Sequence, residues 1–512
     1  MPSKGHASPA AGLTRRRAPH VSKALLLITL ASLAAGCTAS ATPTPSLSPA
    51  VTPSSLPTMS PVVPPSAAPS APLTTPGPAV TPAPSEAVVS PTPAASSNPD
   101  LAISTVARAP ANPADAQNAA LSLNTFGLDL YRQLAATSSG NIVCSPASIA
   151  LALAMARAGA KGTTAAQLDG ALHVAGWDSL GPGLNALDQA LASRNGTWTD
   201  DQQQQLAVAL RIANATFAQR GLTLQPAYLD ALASTFGSGL RLVDYTADPE
   251  AARQTINAWV DEQTERRIPQ LLPVGVVTTQ TRVALVNAIY LKAPWAVPFD
   301  PKQTVRHPFT RTDGSTVMVP MMAAVGTGTG PHYPYAAGTD WRATQIPYAS
   351  PAGPGRAGEL ALTIIVPDDL AAFEGSLSAA ELIRITSALT GYRNLDLLLP
   401  RFAAESHVEL VPTLKALGVR AAFDPNRGDF TGITTQEPLY ISAVVHQANI
   451  TVDETGTEAA AATAVLGATA GPGDQSTPIP FHVDRPFLIL LRDVPTGAIL
   501  FMGRVVDPSA MG

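Results

Sequence analysis

Between two segments that alternate like β-strands, Tyr440–Val452 and Phe487–Val494, the chain reads Asp453-Glu-Thr-Gly-Thr-Glu-Ala-Ala-Ala-Ala-Thr-Ala-Val465. Side chains in a strand alternate between two faces, so the small uncharged residues would share one face of an extended segment: Thr457, Ala459, Ala461, Thr463 and Val465. The opposite face would carry the carboxylates of Glu454 and Glu458. The segment could therefore be either a mobile loop or a central strand of a sheet.

The residues Glu454-Thr-Gly-Thr-Glu-Ala-Ala-Ala-Ala462 resemble the hinge of the reactive loop in serpins, a family of serine protease inhibitors. The resemblance implies a loop, about residues 454–478, that a target protease cleaves. The hinge half then inserts into a β-sheet as a new strand. The hinge residues that the resemblance implies are Glu454, Gly456, Thr457, Glu458, Ala459, Ala460, Ala461 and Ala462.

The scissile bond follows from the usual spacing in the family. Counting forward from Gly456 predicts cleavage between Ala470 and Gly471, whereas counting backward from Pro486 leads to a bond near Gln475. We prefer the forward count, because the inserting strand must match the length of the sheet.

Small residues around the predicted bond favour a protease with a shallow pocket, of the elastase or subtilisin type. No Lys or Arg lies between Glu458 and His482, which argues against trypsin, and cleavage after Leu466 is the alternative. A non-inhibitory serpin with a binding or structural role is the second hypothesis for the whole protein. The hinge disfavours it, because no bulky residue or proline lies between Thr457 and Ala462 to block insertion.

Further blocks of the same family occur in order along the chain: Asn141–Ala150, Gly159–Leu168, Ala422–Asp424, Asp429–Ile433, Asp484–Leu491 and Ala498–Arg504. Helical and strand patterns mix without βαβ repetition, which indicates an α+β fold. The resemblance implies a serpin domain over residues 116–512, with three β-sheets, about eight to nine helices and an exposed reactive loop. Ile256–Pro269 has the pattern of an amphipathic helix that ends at its proline.

The N-terminus has the pattern of a secretory signal. Basic residues at 15–17 and 23 precede the apolar run Ala24–Leu33, which is about half as long as a membrane-spanning helix. The run ends Leu33-Ala-Ala-Gly-Cys37, which resembles a bacterial lipobox with Ala34 in place of the preferred leucine. This implies a signal peptide over residues 1–36 and membrane attachment through lipid on Cys37. The alternative is an ordinary signal peptide that ends near a cysteine.

Residues 37–115 are rich in Pro, Ser, Thr and Ala and carry almost no charge. They lack the periodic apolar pattern of a packed core, which predicts a disordered linker before a domain that begins near Ala116. A cell-wall spacer or a glycosylated stalk is compatible with this composition. We expect an extracytoplasmic protein that is either lipid-anchored to a bacterial cell surface or secreted. Three Asn-x-Thr sequons are weak signals of glycosylation: Asn195, Asn214 and Asn449.

Composition argues against several functional classes. The net charge is −5 and no basic patch appears, so nucleic acid is not expected as a partner. The two cysteines, Cys37 and Cys144, cannot form a disulfide framework, and we expect neither metal nor cofactor. Residues 169–192 contain no Lys or Arg, so no heparin-type site is evident. We expect a monomeric inhibitor whose partner is a serine protease held in a covalent complex, and not an enzyme.

Four polar residues could suggest a serine hydrolase: Ser145, Ser148, Asn287 and His446. The chain contains neither a Gly-x-Ser-x-Gly elbow nor a His-Glu-x-x-His motif, which argues against that reading. The resemblance implies that the four residues form a hydrogen-bonded cluster beneath the main sheet, where two strands part. We call them the polar cluster. Because buried polar groups must be paired, such a cluster could hold the sheet closed.

A charged pair is predicted at the top of the sheet. Arg401 and Glu454 match positions that often carry opposite charges in serpins, and Trp295 belongs to the same region, called the breach. Their contact would latch the hinge. The alternative is two solvated charges, whose pairing would contribute roughly 0–1 kcal/mol.

Overall fold

The computed structural model describes residues 99–199, 203, 205–325, 332–350, 353–458 and 477–510. Nine α-helices lie in these ranges: α1 (Pro113–Thr137), α2 (Pro146–Gly159), α3 (Gly162–Ala171), α4 (Trp177–Ala192), α5 (Pro226–Phe236), α6 (Pro249–Gln263), α7 (Leu370–Ser376), α8 (Ala379–Ala388) and α9 (Val411–Ala416). Two short 3-10 helices cover Pro301–Gln303 and Ala421–Phe423.

The same ranges contain eighteen strands: β1 (Leu101–Ala102), β2 (Ile142–Cys144), β3 (Gly196–Thr199), β4 (Gln205–Gln219), β5 (Leu240–Val243), β6 (Val283–Pro294), β7 (Val305–Thr310), β8 (Thr316–Val325), β9 (His332–Ala337), β10 (Trp341–Ser350), β11 (Gly353–Pro367), β12 (Tyr392–Pro400), β13 (Phe402–Glu409), β14 (Ala443–Val452), β15 (Gly456–Thr457), β16 (Ile479–His482), β17 (Phe487–Asp493) and β18 (Ile499–Val505). Their mixture with the helices confirms the α+β class.

The main sheet has the strand order β1-β5-β4-β6-β15-β14-β13, and β3 pairs with β4. The second network has the order β2-β18-β17-β11-β10-β9-β12-β8-β7, with β16 beside β12. The resemblance implied three sheets. Hydrogen bonding groups the described strands into two networks, because β9 pairs with β10 on one side and with β12 on the other.

Both faces of the main sheet are covered. Helix α2 packs against β4 and β6 of the main sheet and against β18 of the second network. Because it lies between two sheets, α2 is apolar nearly all round, and its buried residues run from Pro146 to Ala156. Helix α6 packs against β4, and its Ile256 and Val260 belong to a second apolar cluster that includes Phe217 of β4 and Val286 of β6.

The folded domain begins before the predicted boundary at Ala116. Strand β1 pairs antiparallel with β5, and α1 begins at Pro113, capped by the Asn112 side chain, which accepts from the Ala114 N–H. The part of residues 37–115 from 99 onward therefore belongs to the domain and not to a linker. Local composition could not show this, because the strand partner of β1 lies about 140 residues away in the chain.

Helix α6 also ends earlier than predicted. Its last residue is Gln263, six residues before Pro269, because Glu265 and Arg266 adopt φ angles of 51° and 65° that cannot continue a right-handed helix. Within the described ranges, no helix combines the length and apolarity required to cross a bilayer.

Candidate functional site

Gly456 and Thr457 of the predicted hinge lie in the main sheet. Strand β15 is antiparallel to both of its neighbours, with Thr457 opposite Ala293 of β6 and opposite Val452 of β14. Lower in the sheet, β6 and β14 pair directly and in parallel, from Ala284 opposite Ala443 to Ile289 opposite Ala448. We call the boundary between β6 and β14 the seam. It is open at the top, where the hinge enters, and closed below.

Entry into the seam requires a glycine at position 456. A Cβ atom there would lie 2.1 Å from the Ala293 carbonyl oxygen and 2.7 Å from the Pro294 Cα, and the φ angle is +156°. Both neighbours are backbone atoms, so no side-chain movement could make room. Glycine alone allows the chain to approach β6 this closely.

Thr457 supplies the first side chain of β15, and that side chain faces the protein interior. It is 1% exposed, and its hydroxyl lies 2.5 Å from the Tyr348 hydroxyl. The Tyr348 ring stacks on Trp295 at 4.6 Å, and the Trp295 indole N–H donates to the Asp453 carbonyl at 2.8 Å. Trp295 therefore supports the turn that leads into the hinge, in the region predicted for the breach.

The structure brings Glu454 and Arg401 into contact. The guanidinium donates from Nε at 2.7 Å and from Nη2 at 2.5 Å to Glu454 Oε1, which also accepts from the Thr304 hydroxyl. The Glu454 side chain is 5% exposed, so its carboxylate is not a solvated surface charge, whereas the Arg401 side chain is 45% exposed. Burial alone would raise the pKa of Glu454, but the hydrogen bonds from Arg401 and Thr304 outweigh it and lower the pKa below its usual value.

Glu458 follows β15 and is the last described residue of the hinge, and its N–H donates to the Thr451 carbonyl of β14 at 3.0 Å. Its φ angle of 47° is in the left-handed region, which costs a residue with a side chain roughly 1 kcal/mol or more. Its side chain is 7% exposed, and Arg267 Nε lies 3.3 Å from Oε2. Burial raises the pKa of Glu458, although the Arg267 charge opposes that shift. The other predicted residues of the loop and the lipidation site lie outside the described residues: Ala459, Ala460, Ala461, Ala462, Ala470, Gly471 and Cys37.

The polar cluster is brought together below the hinge, and its four predicted members are all fully buried. His446 on β14 lies opposite Asn287 on β6, and its Nδ1 is hydrogen-bonded to Asn287 Oδ1 across the seam. The Asn287 amide donates to the Ser148 hydroxyl at 2.6 Å, and the Ser145 backbone N–H donates to His446 Nε2 at 3.1 Å. The cluster thus joins the two strands of the seam to the N-terminus of α2.

Hydrogen bonding defines the state of the His446 ring. Nε2 accepts from a backbone N–H, so the proton must be on Nδ1, and the ring is neutral. Burial, assisted by the nearby His407, lowers the pKa of His446 to about 3. A buried, neutral ring with both nitrogens occupied cannot contact a substrate. Burial likewise raises the pKa of the Cys144 thiol to about 12, as expected for a core thiol.

Sequence reasoning missed a fifth member of the polar cluster. Asn214 on β4 lies opposite Asn287, and its Oδ1 accepts from the Asn287 amide at 2.7 Å and from the Ser148 hydroxyl at 3.0 Å. In the sequence it attracted attention only as a sequon. The sequence signal that could have identified it is a polar residue within an alternating strand, with a small residue on either side of it in the chain.

Comparisons with known proteins agree with this geometry. A family model described as Serpin (serine protease inhibitor) matches residues 121–508. A serpin-like protein of Thermococcus kodakarensis is 36% identical over 75% of this chain and 85% of its own length. Leukocyte elastase inhibitor A of Rattus norvegicus is 33% identical over 75% of this chain and 97% of its own. Serpin48 of the insect Tenebrio molitor superposes with a TM-score of 0.62 at 27% identity, covering 76% of this chain and 98% of its own. The chain therefore belongs to the serpin family.

Proposed function

We propose that this serpin inhibits serine proteases as a suicide substrate. The observation that carries the proposal is the position of β15, two hinge residues already paired with both strands at the open top of the seam. The target protease would attack the reactive loop and form an acyl-enzyme. Further insertion of the hinge would then carry the bound protease along the sheet before the acyl bond is hydrolysed.

The register of β15 supports insertion down the whole seam. Continued from Thr457, the same register would bring Thr463 between Asn287 and His446, and Leu466 between Ala284 and Ala443. The direct parallel pairing of β6 with β14 would be replaced by two antiparallel ladders, which are slightly more stable per residue. The net gain of backbone hydrogen bonds would provide the driving force.

The same register supports the forward count for the scissile bond. A strand that reaches Leu466 fills the seam, and the bond between Ala470 and Gly471 would follow shortly after it. We infer a target protease of the elastase or subtilisin type, because the residue before this bond is a small alanine. The leukocyte elastase inhibitors among the relatives are consistent with that class.

A protease panel tests the proposal. The purified protein should form an SDS-stable complex with an elastase or a subtilisin, and trypsin should not be trapped efficiently. Mass spectrometry of the released C-terminal fragment should show Gly471 as its first residue. Cleavage of the loop by every protease with no covalent complex would contradict the inhibitory mechanism, and another N-terminus would contradict only the assigned bond.

We also propose that the protein is extracytoplasmic and attached to a membrane through lipid on Cys37. The support is the sequence alone: a charged and apolar leader that ends in Leu33-Ala-Ala-Gly-Cys37. Changing Cys37→Ser should move the protein from the detergent phase to the aqueous phase, or block its processing. Unchanged detergent partitioning of this variant would refute the lipid anchor.

A further inference from the structure

The segment Asp100–Asn112, which we call the N-terminal strap, lies along the free edge of the main sheet. Leu101 and Ala102 pair with Arg241 and Leu240 of β5, and the Leu242 N–H donates to the Asp100 carbonyl at 2.8 Å. The strap thus adds a short strand to a sheet whose β5 edge would otherwise present unpaired backbone groups.

Beyond β1, the strap is attached to two helices. The Arg108 guanidinium donates from Nε to Asn185 Oδ1 at 3.0 Å and from Nη2 to Asp188 Oδ2 at 2.6 Å, both on α4. The same Nη2 donates to the Thr235 carbonyl near the end of α5 at 3.3 Å. The Ala109 N–H donates to the Ser234 carbonyl at 2.9 Å. Arg108 therefore connects α4 with the segment that leads directly into β5.

The surface beneath the strap is fitted to its backbone. A Cβ atom on Gly239 would lie 2.4 Å from the Ala102 carbonyl oxygen and 2.9 Å from the Ile103 Cβ. Asn185 is only 2% exposed, and its amide donates to the Ala109 and Pro110 carbonyls at 2.9 and 3.3 Å. These contacts hold the main chain of the strap and do not depend on one exposed side chain.

Insertion of a strand into the seam must move one half of the main sheet. Neighbouring strands lie about 4.8 Å apart, so β6 and β14 would have to separate by about that distance. The β13–β14 half is connected to the second network in two ways. A single residue, Arg401, separates β13 from β12, and the Ser406 hydroxyl on β13 accepts from the Val143 N–H on β2. The β4–β5–β6 half ends at the β5 edge, which is covered by β1 of the strap, so it is the half expected to move. The strap spans from that edge to α4.

We propose that the N-terminal strap is an intramolecular brace that slows opening of the seam and so keeps the intact protein from inserting its own loop. This inference rests on the proposed function. Movement of β5 relative to α4 would have to break the hydrogen bonds of Arg108. Charge-assisted bonds of this kind are among the stronger hydrogen bonds in proteins, so their loss should accelerate spontaneous insertion about tenfold.

The experiment uses the full chain without protease and follows two quantities. Amide exchange at Leu242 and Ala109 reports release of the strap, and the appearance of a form with a higher melting temperature reports insertion. Arg108→Ala and Gly239→Ala should each increase both rates, insertion by about tenfold. Arg384→Ala removes an arginine from an exposed ion pair with Glu381 on α8, remote from the strap, and should leave both rates at the wild-type value.

A variant that fixes the strap to the sheet distinguishes the proposed brace from a general loss of stability. Leu101→Cys combined with Arg241→Cys places two thiols at directly opposite positions of β1 and β5. The oxidised protein should insert its loop more slowly than the same protein after reduction.

Faster amide exchange in Arg108→Ala and Gly239→Ala with an unchanged insertion rate would refute the brace. Amide exchange at the wild-type rate in both variants would refute it as well. A wild-type protein that gains no stability even after loop cleavage would instead contradict the proposed function.

Discussion

The contact between Arg401 and Glu454 can be tested by removing the guanidinium. The Glu454 carboxylate is 5% exposed. In the part of the chain that the structure describes, Arg401→Ala would leave it with the Thr304 hydroxyl as its one side-chain donor. A hydrogen bond to a charged group contributes about 1.5–3 kcal/mol, and an exposed ion pair about 0.2–1 kcal/mol. The Arg401 side chain is 45% exposed, so an intermediate loss of about 1–2 kcal/mol is expected in the intact protein at pH 7.

The pH dependence has a definite sign. Because the native pKa of Glu454 is lowered, its stabilising effect is complete above the ordinary value of about 4.3 and disappears as the pH falls through the lower native value. The difference between Arg401→Ala and wild type should therefore be largest near pH 7 and should shrink at about pH 3.

Urea unfolding of the intact protein at both pH values measures this difference, and Glu454→Gln completes a double-mutant cycle. Arg306→Ala serves as the matched control, since this arginine is exposed on neighbouring β7 and should change stability by less than about 0.5 kcal/mol. Equal urea midpoints for Arg401→Ala and wild type at pH 7 would refute the latch. A loss that persists unchanged at pH 3 would show that its cause is not the ionised Glu454.

Three further predictions concern the seam. Thr457→Arg would bury a charge at a cost of several kcal/mol and convert the inhibitor into a substrate. Thr451→Arg, at an exposed position nearby, should still give the SDS-stable complex. Equal yields of the complex from the two variants would refute the inward orientation of Thr457. Gly456→Ala should expel the hinge from the seam because of the clash with the Ala293 carbonyl, seen as faster amide exchange across the hinge; unchanged exchange would contradict it. Between about pH 6.5 and pH 3 the unfolded chain binds a proton at His446 that the buried ring does not, so the wild-type protein should lose about 1.4 kcal/mol of stability for each unit by which the pH falls. His446→Gln should remove this loss. A urea midpoint that depends on pH as steeply in the variant as in the wild type would argue against this.

The main elements could be predicted because their signals are local or repeat a family pattern. The alternation before Val452 predicts a strand that the structure has as β14, and the small residues after Asp453 predict a segment able to enter a sheet. The structure differs at Glu454, which belongs to a turn and not to the strand. Asp453 Oδ1 accepts from the Thr455 and Gly456 N–H groups, so regular alternation begins only at Gly456.

Features that depend on distant partners could not be predicted from local patterns. The residues around Ala109 are rich in proline and alanine and look like the preceding linker, yet their carbonyls are held by Asn185 on α4. Asn214 acquires its role only through the strand register that sets it opposite Asn287. In both cases the deciding contact joins segments more than 70 residues apart in the chain.

We propose that the hinge at Thr457 is the beginning of a strand that can fill the seam. The most direct test is the melting temperature of the intact protein and of the same protein after its reactive loop is cut by a protease that it does not trap. Cleavage frees the hinge half, so insertion should raise the melting temperature sharply as the sheet gains a central strand with hydrogen bonds on both sides. Equal melting temperatures for the intact and cleaved forms would contradict insertion of the hinge into the seam.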